Sequence, residues 1–268
     1  MTNWSGPIPK HRFLPAYTSA ESETLAAKPN AVAIIPVGAT EQHGPHLPLY
    51  TDSAIASEIV GRALAHLPPE IPAVAVPPIW CGKSNEHNRF PGTISLSADT
   101  LKAVLWEVAE SLYRTGFRKV VFVNGHGGQP QVLEIVARDL RAQYPDFALF
   151  PTFVWSVPNR SEEFMDERER TLGMHAGQAE TSLMLALDEQ QVRSDQVIRE
   201  FPPDQGVLKP EGGVVYAWLA HDISVSGVMG DATRGNKVEG EAVLESLVSS
   251  WAEVIRAIHD FDLASPET

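Results

Sequence analysis

The segment from Glu41 to Asp52 concentrates residue types that bind metal ions in proteins. Glu41 and His43 are two positions apart, so on an extended backbone their side chains point to the same side. Asp52 follows shortly afterwards, just before a segment with helical periodicity. Carboxylates and imidazoles together favour a divalent ion of hard to borderline character. The segment therefore predicts a metal site that includes Glu41, His43 and Asp52.

Two later segments contain further groups of the same kind. The segment VNGHGGQ at 123–129 contains His126, and the segment MHAGQAETS at 174–182 contains His175 and Glu180. Because the first of these follows an apolar run directly, it reaches the same edge of a parallel sheet as the first segment. We predict that the two segments complete the site.

The predicted ligand set has two histidines and three carboxylates. This is more than the three protein ligands and one water of a usual catalytic zinc site, so we predict two ions, with Asp52 as the bridging carboxylate. Because no cysteine takes part, zinc, manganese and iron all remain open as the metals. The predicted ligands are Glu41, His43, Asp52, His126 and Glu180.

Such a site implies hydrolysis of an amide or a similar carbonyl compound. A bound ion lowers the pKa of its water to about 7, and a second ion can stabilise the negative charge that develops on a carbonyl oxygen. His175 lies in the loop that leads to Glu180. We predict that it protonates a leaving nitrogen or polarises the carbonyl.

Some of these polar residues have simpler interpretations. A lone buried histidine is more often a satisfied core residue, but His43 and His126 stand among three carboxylates in separate motifs, which favours the ligand interpretation. His46 is interpreted as a brace of its loop. For Glu86 and His87, ordering of their long loop and contact with substrate are equally supported.

Alternating strand and helix patterns predict an α/β fold. This alternation indicates three layers, α/β/α, around a mainly parallel sheet. We expect one domain over residues 1–268, with residues 1–19 as an N-terminal arm that packs on a neighbouring subunit. The predicted strands are 31–37, 71–79, 119–123 and 147–155, and the predicted helices are 20–28, 53–67, 99–115, 131–143, 177–188 and 239–259.

Local signals mark several element boundaries. Gly116 is expected to terminate the helix at 99–115, and Asp52 or Ser53 to cap the helix at 53–67. Residues 156–175 are polar and are interpreted as a loop whose charged run is solvated.

The composition limits the partners of the chain. The 268 residues carry a formal net charge of −13, from 34 acids and 21 bases, which argues against binding to nucleic acid or to anionic membranes. The single cysteine, Cys81, permits no intrachain disulfide and fits a reducing compartment. The N-terminus lacks the pattern of a signal peptide, and no apolar run is long enough to span a membrane. We therefore expect a cytoplasmic protein that acts on a small molecule.

The chain resembles the creatininase family of amidohydrolases. The resemblance lies in five segments, which occur in the order found in the family and extend over most of the chain. They are PVGATEQHGPHLPLYTD (36–52), EHNRFPGT (86–93), VNGHGGQ (123–129), HAGQAETS (175–182) and GVMGDATRG (227–235).

The resemblance implies an α/β/α fold with a two-metal centre in a homohexamer. Zinc is the first expectation for both ions, with manganese or iron as alternatives. His175 matches the histidine that assists catalysis in the family. By resemblance, one ion is held by Glu41, Asp52 and His126, and the other by His43, Asp52 and Glu180.

Two departures indicate a family member other than creatininase proper. Creatininases have a glutamate two residues after the histidine that matches His126, where this chain has Gly128. They also have a tryptophan four residues before the catalytic histidine, where this chain has Thr171. The expected activity is hydrolysis of a small amide, lactam or formamide, at a C–N bond other than an ordinary peptide bond. Other branches of the family include a formamidopyrimidine nucleotide deformylase, a peptidase that matures mycofactocin and a hydrolase of oxidised inositols.

Two non-catalytic interpretations remain. The missing acid at Gly128 is compatible with a ligand-binding protein that retains the scaffold and the metal site. A nucleotide binder that uses the glycines of 124–128 is less favoured, because their spacing is not that of a dinucleotide fingerprint.

Overall fold

Four parallel strands form the central sheet of the computed structural model, which describes residues 5–263. Strand β1 (Val32–Val37) lies between β2 (Ala73–Ala75) and β3 (Lys119–Asn124), and β4 (Ala148–Phe153) follows β3 at the edge. Helices cover both faces of this sheet. The predicted three-layer α/β/α fold with a mainly parallel sheet is therefore confirmed.

The helices of residues 5–263 include one for each of the six predicted segments and three short helices outside those segments. They are α1 (Ser19–Ala26), α2 (Thr51–His66), α3 (Ala98–Thr115), α4 (Pro130–Gln143), α5 (Ser161–Phe164), α6 (Glu167–Leu172), α7 (Gln178–Asp188), α8 (Ala220–Ile223) and α9 (Lys237–Asp260). Short strands form two further pairs, which are β5 (Arg199–Glu200) with β8 (Gly230–Asp231), and β6 (Leu208–Lys209) with β7 (Val214–Val215). No helix within residues 5–263 is both long enough and apolar enough to cross a membrane.

Both faces of strand β1 are buried, which explains its uninterrupted apolar sequence. Val32 and Ile34 belong to the core that packs against α2, α7 and α9. Ala33 and Ile35 belong to the opposite core, against α1, α3 and α4. Successive side chains of a strand point to opposite faces, so a central strand covered on both sides needs apolar residues at every position.

The ends of α3 follow the signals in the sequence. The Ser97 hydroxyl accepts a hydrogen bond from the backbone N–H of Thr100, which caps the first turn. Gly116 follows the last turn with a φ of 118°, a conformation that costs glycine little.

The start of α2 differs from the expected one. The helix begins at Thr51 with Tyr50 at its N-cap, so neither Asp52 nor Ser53 caps it. The Ser53 hydroxyl instead donates to the backbone carbonyl of Ala39, at 3.0 Å. The Asp52 side chain is left to face inward from the first turn, where the helix dipole favours a carboxylate.

The interpretation of residues 156–175 as a loop is wrong, whereas its charged run is solvated except at Glu169. The segment contains α5 and α6, and Glu169 within its charged run is only 3% exposed. The Glu169 carboxylate accepts hydrogen bonds from the backbone N–H groups of Gln178 and Asp231, at 2.7 and 2.8 Å. Burial of this acid is compensated by those donors, an arrangement that no local sequence pattern reveals.

Strand β2 is shorter than the predicted run at 71–79. Only Ala73–Ala75 pairs as a regular strand, and Pro77 and Pro78 follow it. Proline has no backbone N–H to donate to a ladder, so the two prolines end the strand.

The described part of the N-terminal arm packs on its own chain. Ile8 and Phe13 are buried in the core beside α2. Arg12 is 5% exposed. Its guanidinium donates hydrogen bonds to four backbone carbonyls in the segment from the end of α2 to β2. The acceptors are Leu67, Pro68, Ile71 and Ala73.

The Arg12→Ala variant is expected to lower the free energy of unfolding by about 2–4 kcal/mol, because it removes charge-assisted hydrogen bonds and leaves buried carbonyls unpaired. Urea denaturation followed by circular dichroism measures this change. The control is Arg62→Ala, which removes an exposed pair with Glu58 and should cost less than about 1 kcal/mol. Equal losses in the two variants would contradict a structural role for Arg12.

Candidate metal centre

The sheet brings the two predicted ligand loops together. Val37 and Asn124, the last residues of β1 and β3, are paired in the parallel register. Glu41 and His43 follow Val37, and His126 follows Asn124. The loops therefore leave the same edge of the sheet side by side, as expected for a site at the carboxyl ends of parallel strands.

The loop after β3 is held in place by Asn124. Its side-chain amide donates to the backbone carbonyl of His126 at 2.7 Å, and its oxygen accepts from the His126 N–H at 3.0 Å. The same oxygen accepts from the side chain of Gln129 at 2.8 Å. These contacts fix the backbone on both sides of His126.

Asp52 lies between the two histidines. Its Oδ1 is 3.3 Å from His43 Nε2, and its Oδ2 is 3.5 Å from His126 Nδ1. Glu41 Oε2 is 3.1 Å from His126 Nδ1, and Glu180 Oε2 is 3.9 Å from His43 Nε2. The structure thus places all five predicted ligands in one cluster with Asp52 at its centre.

Backbone carbonyls orient both of these histidines. His43 Nδ1 is 3.1 Å from the carbonyl of Glu41, and His126 Nε2 is 3.0 Å from that of Lys83. A carbonyl can only accept, so these nitrogens carry the ring protons. In the neutral rings the other nitrogens, His43 Nε2 and His126 Nδ1, carry the lone pair that faces the carboxylates, which is how proteins orient metal-binding histidines.

His175 lies beside this cluster. An antiparallel bridge to Met229 holds its backbone. Its Nε2 is 2.7 Å from the carbonyl of Gln42, which leaves the Nδ1 lone pair 3.7 Å from Glu41 Oε1. Burial and the neighbouring charge of His43 hold the pKa of His175 well below its usual range, so its imidazole is neutral. Its Nδ1 therefore faces the cluster without a proton.

Several buried atoms of the cluster have no hydrogen-bond partner among residues 5–263. They are both carboxylate oxygens of Glu41, Oδ2 of Asp52, Nε2 of His43 and Oε1 of Glu86. Unpaired buried polar atoms cost about 1–3 kcal/mol each, and more when charged. Carboxylate oxygens and imidazole nitrogens in this state suit divalent cations as ligands.

Charges in the cluster depend strongly on one another. Burial opposes a charge on His43, but the Asp52 and Glu180 carboxylates outweigh it and raise the pKa of His43 to about 10. Burial raises the pKa of Glu180 to about 7, although the charge of His43 opposes this rise. Protonated imidazole therefore balances the negative charge of the buried acids. A bound divalent ion would displace those protons and supply the positive charge instead.

The loop at 80–97 brings two unassigned residues to the cluster. A short turn of 3-10 helix, Asn85–His87, carries Glu86 and His87 inward, and both are buried. Glu86 Oε1 is 3.0 Å from His126 Nε2, and His87 Nε2 is 3.6 Å from Glu41 Oε1. The signal for Glu86 and His87 in the sequence was an acid next to a histidine within a long polar loop.

His46 lies apart from the carboxylates. Its Nε2 is 2.9 Å from the Thr181 hydroxyl, directly after Glu180, and burial lowers its pKa to about 4. It braces the first ligand loop against α7, as the sequence analysis expected.

The cluster forms the floor of a cleft of about 210 Å³. Glu41, Asp52 and His175 reach its surface. The walls are mainly apolar and aromatic, an arrangement typical of small-molecule sites. They include Phe153, Trp155, Met165, Met174 and Trp218.

A family model described as "Creatininase: Creatinine amidohydrolase" matches residues 15–255. The chain belongs to the creatininase family. A mycofactocin precursor peptide peptidase of Mycolicibacterium smegmatis is 34% identical over 230 residues, which cover 84% of each chain. The creatinine amidohydrolase of Pseudomonas putida is 30% identical over 261 residues, which cover 92% of this chain and 97% of that protein. A solved structure described as "Creatininase Mn" superimposes with a TM-score of 0.73 at 28% identity, covering 91% of this chain and 97% of that one.

This member of the creatininase family differs from creatininase proper. Its identity to the mycofactocin peptidase exceeds its identity to the creatinine amidohydrolase. The two sequence departures have structural counterparts. Thr171 is exposed on α6 and its hydroxyl donates to the carbonyl of Glu167, while Gly128 lies beside the cluster of candidate ligands, against Glu86.

Proposed function

We propose that this protein is a metal-dependent hydrolase that cleaves an amide-type C–N bond with the help of two divalent ions. One observation carries the proposal: the two oxygens of Asp52 face different histidines, His43 and His126, at 3.3 and 3.5 Å. A carboxylate in that position is suited to bridge two ions.

The ligands divide into two sets that share Asp52. Glu41 and His126 complete the first set, and His43 and Glu180 complete the second. Nitrogen and carboxylate donors without sulfur suit zinc first, with manganese or iron as alternatives. Ions bound there would activate water at neutral pH and polarise the substrate carbonyl.

His175 is the residue that moves protons in this proposal. Its neutral Nδ1 can accept a proton from the attacking water, while its Nε2 stays bound to the Gln42 carbonyl. Transfer of that proton to the leaving nitrogen completes hydrolysis, because an amine leaves far more readily once it is protonated. The His175 ring is held by close rings on both sides, with centroids 4.3 Å from His43 and 4.5 Å from His87.

The cleft indicates the substrate class. Its small volume and apolar walls fit a compact amide, lactam or formamide with an apolar or aromatic group. Similarity to the mycofactocin precursor peptide peptidase favours short peptides as a second substrate class. A hydrolase of oxidised inositols is a weaker alternative, because such polyols need more polar walls. We further propose a cytoplasmic homohexamer, on the basis of the family resemblance.

Metal content tests the two-ion site. Purified wild-type protein, loaded with zinc and desalted, is expected to hold about two ions by elemental mass spectrometry, and Glu180→Ala about one. Glu180 is a ligand of the second ion only, so the first ion should remain. The matched control is Glu189→Ala, which removes an exposed acid just after α7 that pairs with Lys237, and it should retain both ions. Absence of metal in wild type after loading with zinc, manganese and iron would overturn the proposed function.

A further inference from the structure

Glu86 is a buried acid that the two ligand sets leave unassigned. Glu86 is 8% exposed, and its Oε1 has no hydrogen-bond partner among residues 5–263. The Nζ of Lys83 is 3.6 Å from the other oxygen, Oε2. Burial of a carboxylate oxygen without a hydrogen-bond donor costs free energy unless a cation binds the oxygen.

His126 does not satisfy this oxygen. Glu86 Oε1 is 3.0 Å from His126 Nε2, but the proton on Nε2 is directed at the Lys83 carbonyl. Glu86, Glu41 and His126 each present a ligand atom within 4.8 Å of those of the other two. The unpaired oxygen therefore lies beside the two residues proposed to hold the first ion.

Gly128 makes room for the Glu86 carboxylate. A Cβ at position 128 would overlap Glu86 Oε1 and would lie 2.5 Å from His126 Nε2. Glycine at this position thus leaves the space that the Glu86 carboxylate occupies. The position at which creatininases carry a glutamate is filled in this chain by an acid from another loop.

We propose that Glu86 is a third carboxylate ligand of the first ion, beside Glu41, Asp52 and His126, and that it takes the place of the acid missing at Gly128. The inference rests on the proposed two-ion site. An additional anionic ligand strengthens binding of a divalent ion and reduces the positive charge at the site.

The test isolates the first ion in a Glu180→Ala background and then adds Glu86→Gln. Glutamine keeps the shape of the side chain but removes its charge. Zinc affinity, measured by competition with a chelator, is expected to fall by more than about 100-fold, which exceeds the loss caused by removing a partner that only supports a ligand. In the cobalt-loaded protein, the visible absorption spectrum should also change, because one ligand atom of the ion is replaced. Circular dichroism verifies that the variant is folded.

Two control variants separate ligation from simpler effects. Glu211→Gln removes the charge of another acid that lines the cleft, and it should lower zinc affinity much less than Glu86→Gln and leave the cobalt spectrum unchanged. Lys83→Met removes the ion pair of Glu86 without touching the carboxylate, and it should retain zinc affinity. If Glu86→Gln binds zinc as tightly as its parent, or if Lys83→Met loses as much affinity as Glu86→Gln, the proposal is overturned. If Glu86→Gln binds zinc as tightly as its parent while the wild type holds two ions, the proposed function remains intact and only the role of Glu86 is overturned. A wild type that binds no metal overturns both the role of Glu86 and the proposed function.

Discussion

Asp52→Ala is expected to lose both bound metal and turnover. Each Asp52 oxygen faces one of the two proposed ion sites, so a single substitution removes a ligand from both. It also leaves His43 and His126 without the carboxylate between them. Since each metal contributes several kcal/mol to stabilisation of the transition state, kcat/KM should fall by at least about 1,000-fold.

The measurement for Asp52→Ala combines elemental mass spectrometry with an assay on the best substrate of wild type. Asp139→Ala is the matched control, because Asp139 is an exposed aspartate on α4 that pairs with Lys102 on the surface. It should retain two ions and full turnover. A variant at Asp52 that kept normal metal content and activity would contradict the shared role of this carboxylate.

His175→Ala is expected to slow turnover while the metal content stays normal. Proton transfer by a positioned histidine contributes about 100- to 10,000-fold to rate, so kcat should fall within that range. The neutral Nδ1 of His175 is 3.7 Å from Glu41 Oε1, close enough to affect chemistry above the ligand cluster. Metal affinity should change little, because the five proposed ligands remain.

The metal content of His175→Ala decides between two roles. His175 also stands within 4.8 Å of ligand atoms of His43 and Glu180, so a ligand role would appear as loss of an ion. Normal metal with low kcat supports proton transfer, whereas metal loss in proportion to lost activity would contradict it. His66→Ala, at the exposed end of α2, serves as the control and should affect neither quantity.

The two variants also separate catalysis from binding. Asp52→Ala should remain inactive at any zinc concentration at which the protein stays in solution, since the bridging carboxylate is absent. His175→Ala should keep partial activity that added zinc does not increase. A substrate that binds to the cleft walls should show a similar KM in wild type and in His175→Ala, because those walls are unchanged.

The sequence by itself determined the layers of the fold and the chemical character of the site. An apolar run such as 31–37 has to be covered on both faces, and a segment such as 99–115 has one apolar face and a glycine at its end. These are properties of near neighbours along the chain, so they are visible without the fold. The types and spacing of Glu41, His43 and Asp52 likewise indicated metal chemistry.

Only the tertiary structure decided which distant residues meet. Glu86 arrives at His126 because the loop after β2 turns inward across the sheet edge, and Glu169 is buried because backbone donors from two other segments surround it. Arg12 is buried because backbone carbonyls of a distant segment accept hydrogen bonds from its guanidinium. Sheet order, register and loop path fix these encounters, and each depends on the packing of the whole chain, whereas a local pattern records only the preferences of adjacent residues.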